Sequence, residues 1–222
     1  MARLKDHQKA LELRTQGMSY SQIRDILGVN KSTLSPWLKN YPLSKERIGE
    51  LRDHNEKRIE RFRQTMQKKR NDRIEKVYRV QKKILLPLNK RELLIAGLML
   101  YWGEGTKSGT GALLLSNTDP TMIKFFVRWI DKSFGISKNM LRIRLHLYKD
   151  MIVKEQLDYW SQELKIPTSQ FSSPYIKKTT SDRINHKGGF GHGTCNIGVS
   201  SVPLKEKVLM SIRAIADAYA IK

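Results

Sequence analysis

The stretch from residue 45 to residue 83 constrains the fold most, because it is long, highly charged and free of proline and of runs of turn-forming residues. Its apolar residues recur at spacings of three, four and longer, which predicts a helix with a thin apolar stripe. Gly49 is its weak point and Pro87 ends it. Such a helix is typical of a connection between folded parts. The expected segments are a small domain at 1–43, a basic helical linker at 44–90 and a larger domain at 91–222.

Three roles are open for this helix. It is a solvated connector that packs in part on the next domain, or a short coiled coil between two protomers, or a helix that lies along DNA phosphates. In the coiled-coil alternative, Asn55 and Lys69 fall at core positions and interrupt the heptad pattern. The third role is compatible with either of the others.

The charge balance restricts the partner. The chain has 42 Lys and Arg against 21 Asp and Glu, a net charge of +21 and an isoelectric point near 10.1. A compact protein with this charge repels itself, so we expect a polyanion to neutralise it, with nucleic acid as the first candidate. We expect no membrane partner, because no apolar run approaches the ~18 residues of a membrane span. The single cysteine, Cys195, cannot form an internal disulfide, which suits the reducing cytoplasm, and a nucleic-acid partner there predicts association with the nucleoid.

The N-terminal residues show the pattern of short helices. Residues 8–16 are strong helix formers. Ser19 and Gln22 form a capping box that opens a second helix at 21–27. Gly28 then ends this helix in a tight turn with positive φ.

A third helix is expected at 31–39, with Asn30 as its cap. Residues at the front of a recognition helix are the ones that reach base edges and phosphates. The expected DNA contacts here are Lys31, Ser32, Thr33 and Ser35. The expected core of the three helices consists of Ile23, Ile26, Leu27, Val29, Leu34, Trp37 and Leu38.

The segment MSYSQIRDILGVNKSTLSPWLK resembles the helix-turn-helix of the Hin recombinase and resolvase type. It departs from the family pattern at Arg24, where a small residue is usual, and at Pro36, which lies inside the third helix. The resemblance implies that this helix binds duplex DNA. It does not imply recombination, since the resolvase catalytic domain is not present.

From residue 91 onward helix and strand patterns alternate, which predicts an α+β protein whose mixed α/β domain follows the all-α segments. The clearest strand is MLRIRLHLYK, in which Leu, Ile, Leu and Leu alternate with polar residues. The expected elements are a helix at 91–103, a strand at 111–117, a helix at 119–134, a strand at 141–148, a helix at 151–165, strands near 172–178 and 194–200, and a helix at 203–219.

The polar face of this sheet carries the second set of expected DNA contacts. Arg142, Arg144 and His146 alternate with core residues, so they point away from the core. The last strand presents small polar residues that suit close approach to a nucleic acid backbone. A glycine-rich loop at 186–193 is expected to add backbone contacts to phosphate. The remaining expected DNA-binding residues are Tyr175, Lys177, Lys187 and Asn196.

The segment IAGLMLYWGEGTK resembles the LAGLIDADG motif of homing endonucleases, and SNTDPTMIKFFVRWI resembles the entry to the second helix of that fold. The resemblance implies that Glu104 holds a divalent metal, Mg²⁺, beside a scissile phosphate. Lys107 would contact phosphate or assist catalysis. Because one motif is visible, it also implies a homodimer. The motif helix would pack against its copy through Ala96, Leu100 and Gly103.

Two functions remain open on these observations. The first is a sequence-specific duplex DNA-binding protein, regulatory in role, that uses both domains. The second is a Mg²⁺-dependent DNA endonuclease with the helix-turn-helix as an accessory module. Trp102, and Glu in place of Asp at 104, depart from the endonuclease pattern. RNA binding has only the positive charge of the chain in its favour. No small-molecule substrate is implied. A structural zinc site is not expected, because the His192–Cys195 spacing lacks a second pair of ligands.

Overall fold

The computed structural model describes residues 2–51, 54–109, 111–180 and 191–219. The chain divides into two compact units, Met1–Leu86 and Pro87–Lys222. The described part of the first unit is helical, whereas the second combines helices with a mixed sheet, so the protein is α+β, as predicted. None of the helices within the described ranges has both the length and the apolar character that a membrane crossing needs.

Short helices and one long helix make up the described part of the first unit. The capping box predicted for the second helix is confirmed: Ser19 Oγ accepts from Gln22 N at 3.3 Å, and Gln22 Oε1 accepts from Ser19 N at 2.8 Å. Gly28 follows with φ of 65°, the left-handed conformation that favours glycine. The helices are α1 (Ala2–Thr15), α2 (Tyr20–Leu27), α3 (Lys31–Leu38), α4 (Lys45–Glu50) and α5 (His54–Leu85).

The core of the first unit lies among α1, α2 and α3, and one residue predicted for it is on the surface. Ile26 is 54% exposed. Tyr20, Ile23 and Leu27 follow the spacing i, i+3, i+7 and define the inward face of α2, so Ile26 falls beside that face. The predicted Val29 and Trp37 are half-buried against the core. The buried residues are Ala10, Leu13, Tyr20, Ile23, Leu34 and Leu38.

The predicted continuous helix over 45–83 is interrupted. The backbone of Leu51 is extended, with φ of −60° and ψ of 121°, and it ends α4. This turn allows Leu51 to pack with Leu43 and Ile48 in a small buried cluster of their own. The interruption follows the predicted weak point, Gly49, by two residues.

The start of α5 is attached to the three-helix core. Ser19 Oγ donates to Glu56 Oε1 at 2.7 Å, and Gln64 Nε2 donates to the carbonyl of Leu43 at 3.1 Å. The Arg63 guanidinium lies 3.6 Å from the centre of the Tyr20 ring. From residue 68 to residue 85 every side chain of the helix is exposed. α5 is therefore fixed at one end and solvated over the rest of its length.

The elements predicted for the second unit are confirmed, each within two residues of its expected bounds where the structure describes it. The helices are α6 (Lys90–Glu104), α7 (Pro120–Phe134), α8 (Val153–Leu164) and α9 (Val202–Tyr219). The strands are β1 (Ala112–Asn117), β2 (Arg142–Tyr148), β3 (Phe171–Lys177) and β4 (Thr194–Ser200). Two short 3₁₀ turns lie at Lys138–Met140 and Thr168–Gln170.

The strands lie in the order β1-β4-β2-β3. β4 pairs antiparallel with β1 and β2, and β2 pairs parallel with β3. A parallel neighbour needs a crossover connection, which α8 supplies. β3 lies at the edge of the sheet, which explains how it tolerates Pro174, a residue that has no N–H to pair.

The helices cover one face of this sheet. The apolar strand residues join a single buried cluster with residues of α6, α7, α8 and α9. α6 and α7 approach closely at Gly97, where an added Cβ would lie 2.1 Å from the Trp129 ring. Among the described residues, the alternate positions of β1, β2 and β4 do not join this cluster, and they form the opposite face of the sheet. We call it the open face.

Candidate nucleic-acid interface

The helix α3 presents the predicted polar residues at its surface. Leu34 and Leu38 are buried beneath it, Ser32 is exposed, and Lys31, Thr33 and Ser35 are half-buried. The Asn30 side chain makes no capping hydrogen bond; its backbone carbonyl accepts from Thr33 N at 2.9 Å instead. Pro36 has no N–H, so the carbonyl of Ser32 has no helical partner four residues on.

The strand register brings the predicted sheet residues together on the open face. Arg144 lies opposite Asn196 on one side and opposite Ser172 on the other. His146 lies opposite Tyr175, with the ring centres 5.2 Å apart. One pair further, Lys177 Nζ lies 4.5 Å above the Tyr148 ring.

A bulge in β3 shapes this face next to Arg144. The pairing between β2 and β3 shifts between Arg144 and His146, which leaves Ser173 and Pro174 without regular partners. Arg144 Nε donates to the carbonyl of Ser173 at 3.1 Å. The bulge thus holds the guanidinium at the surface, where Arg142 is also exposed.

The charged side chains that the strands place on the open face are basic. Within the described residues none of the four strands contains Asp or Glu. The pKa of His146 is lowered by partial burial first, and then by the positive charges of Lys177 and Arg144. An anion placed on this face would remove that repulsion and favour the charged imidazole.

Asn196 has an unused donor in the middle of the open face. The Ser116 hydroxyl donates to its side-chain carbonyl oxygen. Its Nδ2 is buried and has no hydrogen-bond partner in the described part of the chain. An unsatisfied buried donor costs about 1–3 kcal/mol, so an acceptor that reached it would be bound favourably.

Glu104 lies at the C-terminal end of α6, on the surface. Asn117 Nδ2 donates to Glu104 Oε2 at 3.3 Å, which places the carboxylate beside the end of β1. The following Gly105 is fixed by packing, since an added Cβ would lie 2.4 Å from the Tyr101 ring. The backbone of Gly105 also bridges to Leu115 of the sheet.

Glu104 has few neighbours that could help it to bind a divalent metal. Among the described residues no group of three or more His, Cys, Asp or Glu side chains could hold an ion. Lys107 Nζ donates to the carbonyl of Gly103 at 3.3 Å and thereby caps the end of α6. Mg²⁺ binds through one or two carboxylates, water and substrate phosphate. The residues present therefore fit this ion only if a second carboxylate or a phosphate joins Glu104.

The outward face of α6 is apolar, and it differs from the predicted contact line by one residue. Leu100 is half-buried and packs on the core of its own unit. The exposed residues are instead Ile95, Met99 and Trp102, at 40%, 36% and 44%. The predicted Ala96 lies half-buried at the edge of this stripe, and Gly103 is exposed with nothing within 4 Å of an added Cβ.

Other predicted positions lie away from these surfaces or outside the described residues. Lys187 and most of the glycine-rich loop belong to the latter. His192 stacks on Tyr159 with ring centres 3.5 Å apart and contacts Gln156 Oε1 at 2.8 Å. Cys195 is buried in the core, and this burial raises the pKa of its thiol. The imidazole and the thiol therefore have different environments.

Several residues of the open face were not predicted from the sequence patterns. Ser172 and Ser173 adjoin Arg144, and Ser116 adjoins the predicted Asn196, only through the register of neighbouring strands. The alternation in β1 marks Ser116 as an outward residue, but nothing in the sequence indicates which strand lies beside it.

Comparison of the chain with family models, curated proteins and solved structures finds no match.

Proposed function

We propose that this protein binds duplex DNA in a sequence-specific manner and acts as a regulator in the cytoplasm, at the nucleoid. The observation that carries the proposal is the open face, where Arg142, Arg144, His146 and Lys177 lie on adjoining strands that contain no acidic residue in their described positions. Lys and Arg that neutralise phosphates supply most of the affinity of such proteins.

The first unit supports base recognition. α2, the left-handed turn at Gly28 and the eight-residue α3 have the order and lengths of a helix-turn-helix. In such a unit the second helix enters the major groove, and residues at its front contact bases. Ser32 and Thr33 have hydroxyl groups that can donate to or accept from base edges.

The second unit supports backbone contact. An arginine, a lysine and the unused Asn196 Nδ2 offer donors to phosphate oxygens. The bulge beside Arg144 holds its side chain before any ligand arrives, which lowers the ordering cost of binding.

The test is a binding titration with the full chain. Duplexes selected from a random pool should bind with an affinity that falls steeply with salt. Arg142→Ala with Arg144→Ala should weaken binding to selected and random duplexes alike. Ser32→Ala with Thr33→Ala should instead reduce discrimination between them, by roughly 1–3 kcal/mol per lost base contact. Affinity independent of salt, or tighter binding to single-stranded RNA, would contradict the proposal.

A second candidate function is Mg²⁺-dependent DNA cleavage, favoured by the position of Glu104. Its exposed carboxylate lies at the C-terminal end of a helix, where a negative charge interacts unfavourably with the helix dipole. Stability alone therefore does not explain a glutamate at this position. Glu104 from two copies would hold Mg²⁺, which supplies Lewis-acid stabilisation of a phosphate oxygen when bound. The chain's own contribution is to place the two carboxylates, and Lys107 would hold the end of α6.

Both functions make use of a homodimer, and the apolar stripe of α6 is our proposed contact. Ile95, Met99 and Trp102 are exposed along one line of the helix, and Gly103 leaves room for close approach of a second backbone. A self-complementary helix face of this kind suits a two-fold axis.

A further inference from the structure

A large open groove lies within the first unit, between α3 and α5. Its volume is about 1680 Å³. Pockets for small molecules measure roughly 300–1,000 Å³ and enclose their ligand. The size and openness of this groove instead suit a length of polymer.

Positive side chains from both sides line this groove. Lys31, Lys39 and Lys45 contribute from α3 and from the segment that follows it, and Lys69, Arg70 and Arg73 contribute from α5. The sequence predicts that Lys31 contacts DNA, whereas it leaves several roles open for the helix that carries the cations of α5. The lining also contains two acidic residues, Glu60 and Asp72.

The carboxylates at the start of α5 are held by residues of the three-helix core. α5 contains twelve Lys or Arg and four Asp or Glu. Glu56 accepts a hydrogen bond from Ser19, and Glu60 is buried with Arg14. These contacts orient the two carboxylates toward the three-helix core, so that cations dominate the exposed surface of the helix beyond them.

We propose that this groove holds one sugar–phosphate backbone of the duplex whose bases α3 contacts. The inference rests on the proposed DNA-binding function and adds a second phosphate-binding wall to it. A helix in the major groove has a backbone on either side of it, because the groove is only about 12 Å wide. α5 runs along one such side and meets the phosphates with Lys69, Arg70 and Arg73.

The attachment of α5 makes this wall preorganised. Glu60 is 2% exposed and the first turns of the helix are held by several contacts to the core. The helix therefore needs little ordering when DNA binds. The exposed Phe62 and Met66 also line the groove, where they would contact sugars.

The test compares two triple variants of the full chain that lose the same charge. Lys69→Gln, Arg70→Gln and Arg73→Gln remove cations of the groove. Lys76→Gln, Lys82→Gln and Lys83→Gln remove exposed cations of the same helix that do not line it. Circular dichroism and melting temperature verify that both variants fold.

The salt dependence of duplex binding is then measured for both. The groove variant should lower the slope of log affinity against log salt by about 1 per lost contact, so by roughly 2–3, for selected and random duplexes alike. The control should lower it by less than about 1. Equal slopes for the two variants would overturn the assignment of the groove to a DNA backbone. If the groove variant instead bound DNA normally but lost an acidic protein partner, the groove would belong to that partner. If the unsubstituted chain binds no duplex, the proposed function itself fails.

Discussion

The Arg14 guanidinium and the Glu60 carboxylate form a buried ion pair across 46 residues, with Nη1–Oε1 and Nη2–Oε2 distances of 3.3 and 3.0 Å. The side chains are 2% and 3% exposed. Tyr20 N also donates to Glu60 at 3.2 Å, and Arg14 Nε donates to the Tyr41 carbonyl at 2.7 Å. The pair thereby joins α1, α2 and α5.

Breaking this pair should unfold the first unit more easily. Glu60→Gln keeps the shape but leaves Arg14 as an uncompensated buried charge. The free energy of unfolding should fall by about 3–5 kcal/mol, as measured by urea denaturation. The control is Glu50→Gln, which removes a surface pair with Arg47 and should cost less than about 1 kcal/mol. Equal effects of the two substitutions would refute this account.

The two glycines of α6 should respond oppositely to alanine. Gly97→Ala places a methyl group against the Trp129 ring and should destabilise the second unit by about 1–3 kcal/mol. Gly103→Ala meets nothing within its own chain and should be neutral or stabilise the folded monomer by up to roughly 1 kcal/mol. Thermal and urea unfolding measure both. A tolerant Gly97 would mean that α6 and α7 do not pack as described.

The apolar stripe of α6 should control the oligomeric state. Met99→Lys introduces a charge into the proposed contact, and Gly103→Leu fills the space for the second backbone. Both should give monomers, as seen by light scattering at micromolar concentration. Both should also bind DNA more weakly in a titration. Met210→Lys, at an exposed methionine of α9, should leave the dimer intact. A monomeric unsubstituted protein, with and without DNA, would exclude this contact.

DNA affinity should increase as the pH falls through the range in which His146 titrates. Burial first, and then the positive charges of Lys177 and Arg144, lower the pKa of His146 in the free protein and so favour its neutral imidazole. A bound phosphate raises this pKa, and binding therefore takes up a proton. His146→Gln, which does not titrate, should flatten the dependence of affinity on pH between about 5 and 7. A slope unchanged by the substitution would remove His146 from the interface.

The same shift has an opposite consequence for the stability of the free protein. The folded state disfavours the charged His146, so its pKa lies below that of the unfolded chain. Stability should fall as the pH drops through the unfolded value and on toward the folded one. His146→Gln should remove this small contribution to the pH dependence of stability. Melting temperatures measured over a series of pH values detect the difference.

Glu104→Gln should distinguish the two candidate functions. For an endonuclease, loss of the carboxylate should abolish cleavage with Mg²⁺ by several orders of magnitude while binding in EDTA persists. For a regulator there is no cleavage to lose, and the change should be neutral or slightly stabilising because it relieves the dipole conflict. Glu206→Gln, an exposed acid on α9, serves as control. Metal-dependent nicking that persists in Glu104→Gln would show that another acid acts.

Local patterns of the sequence determined most helices and strands. The Ser19–Gln22 capping box, the glycine at 28 and the alternation over 141–148 depend on residues close together in the chain, so their consequences can be read without knowing the fold. The outward direction of Arg142, Arg144 and His146 followed from the same alternation.

Tertiary structure decided what depends on distant neighbours. Ile26 has a core residue's side chain, but the packing of α2 leaves it outside. Leu100 and Met99 are adjacent and both apolar, and only the position of the core selects which of them faces solvent. The pairing of Arg14 with Glu60, the meeting of β2 with β4, and the groove between α3 and α5 join residues far apart in sequence. Periodicity specifies which face of an element is apolar, whereas the partner of that face is set by the packing of the whole chain.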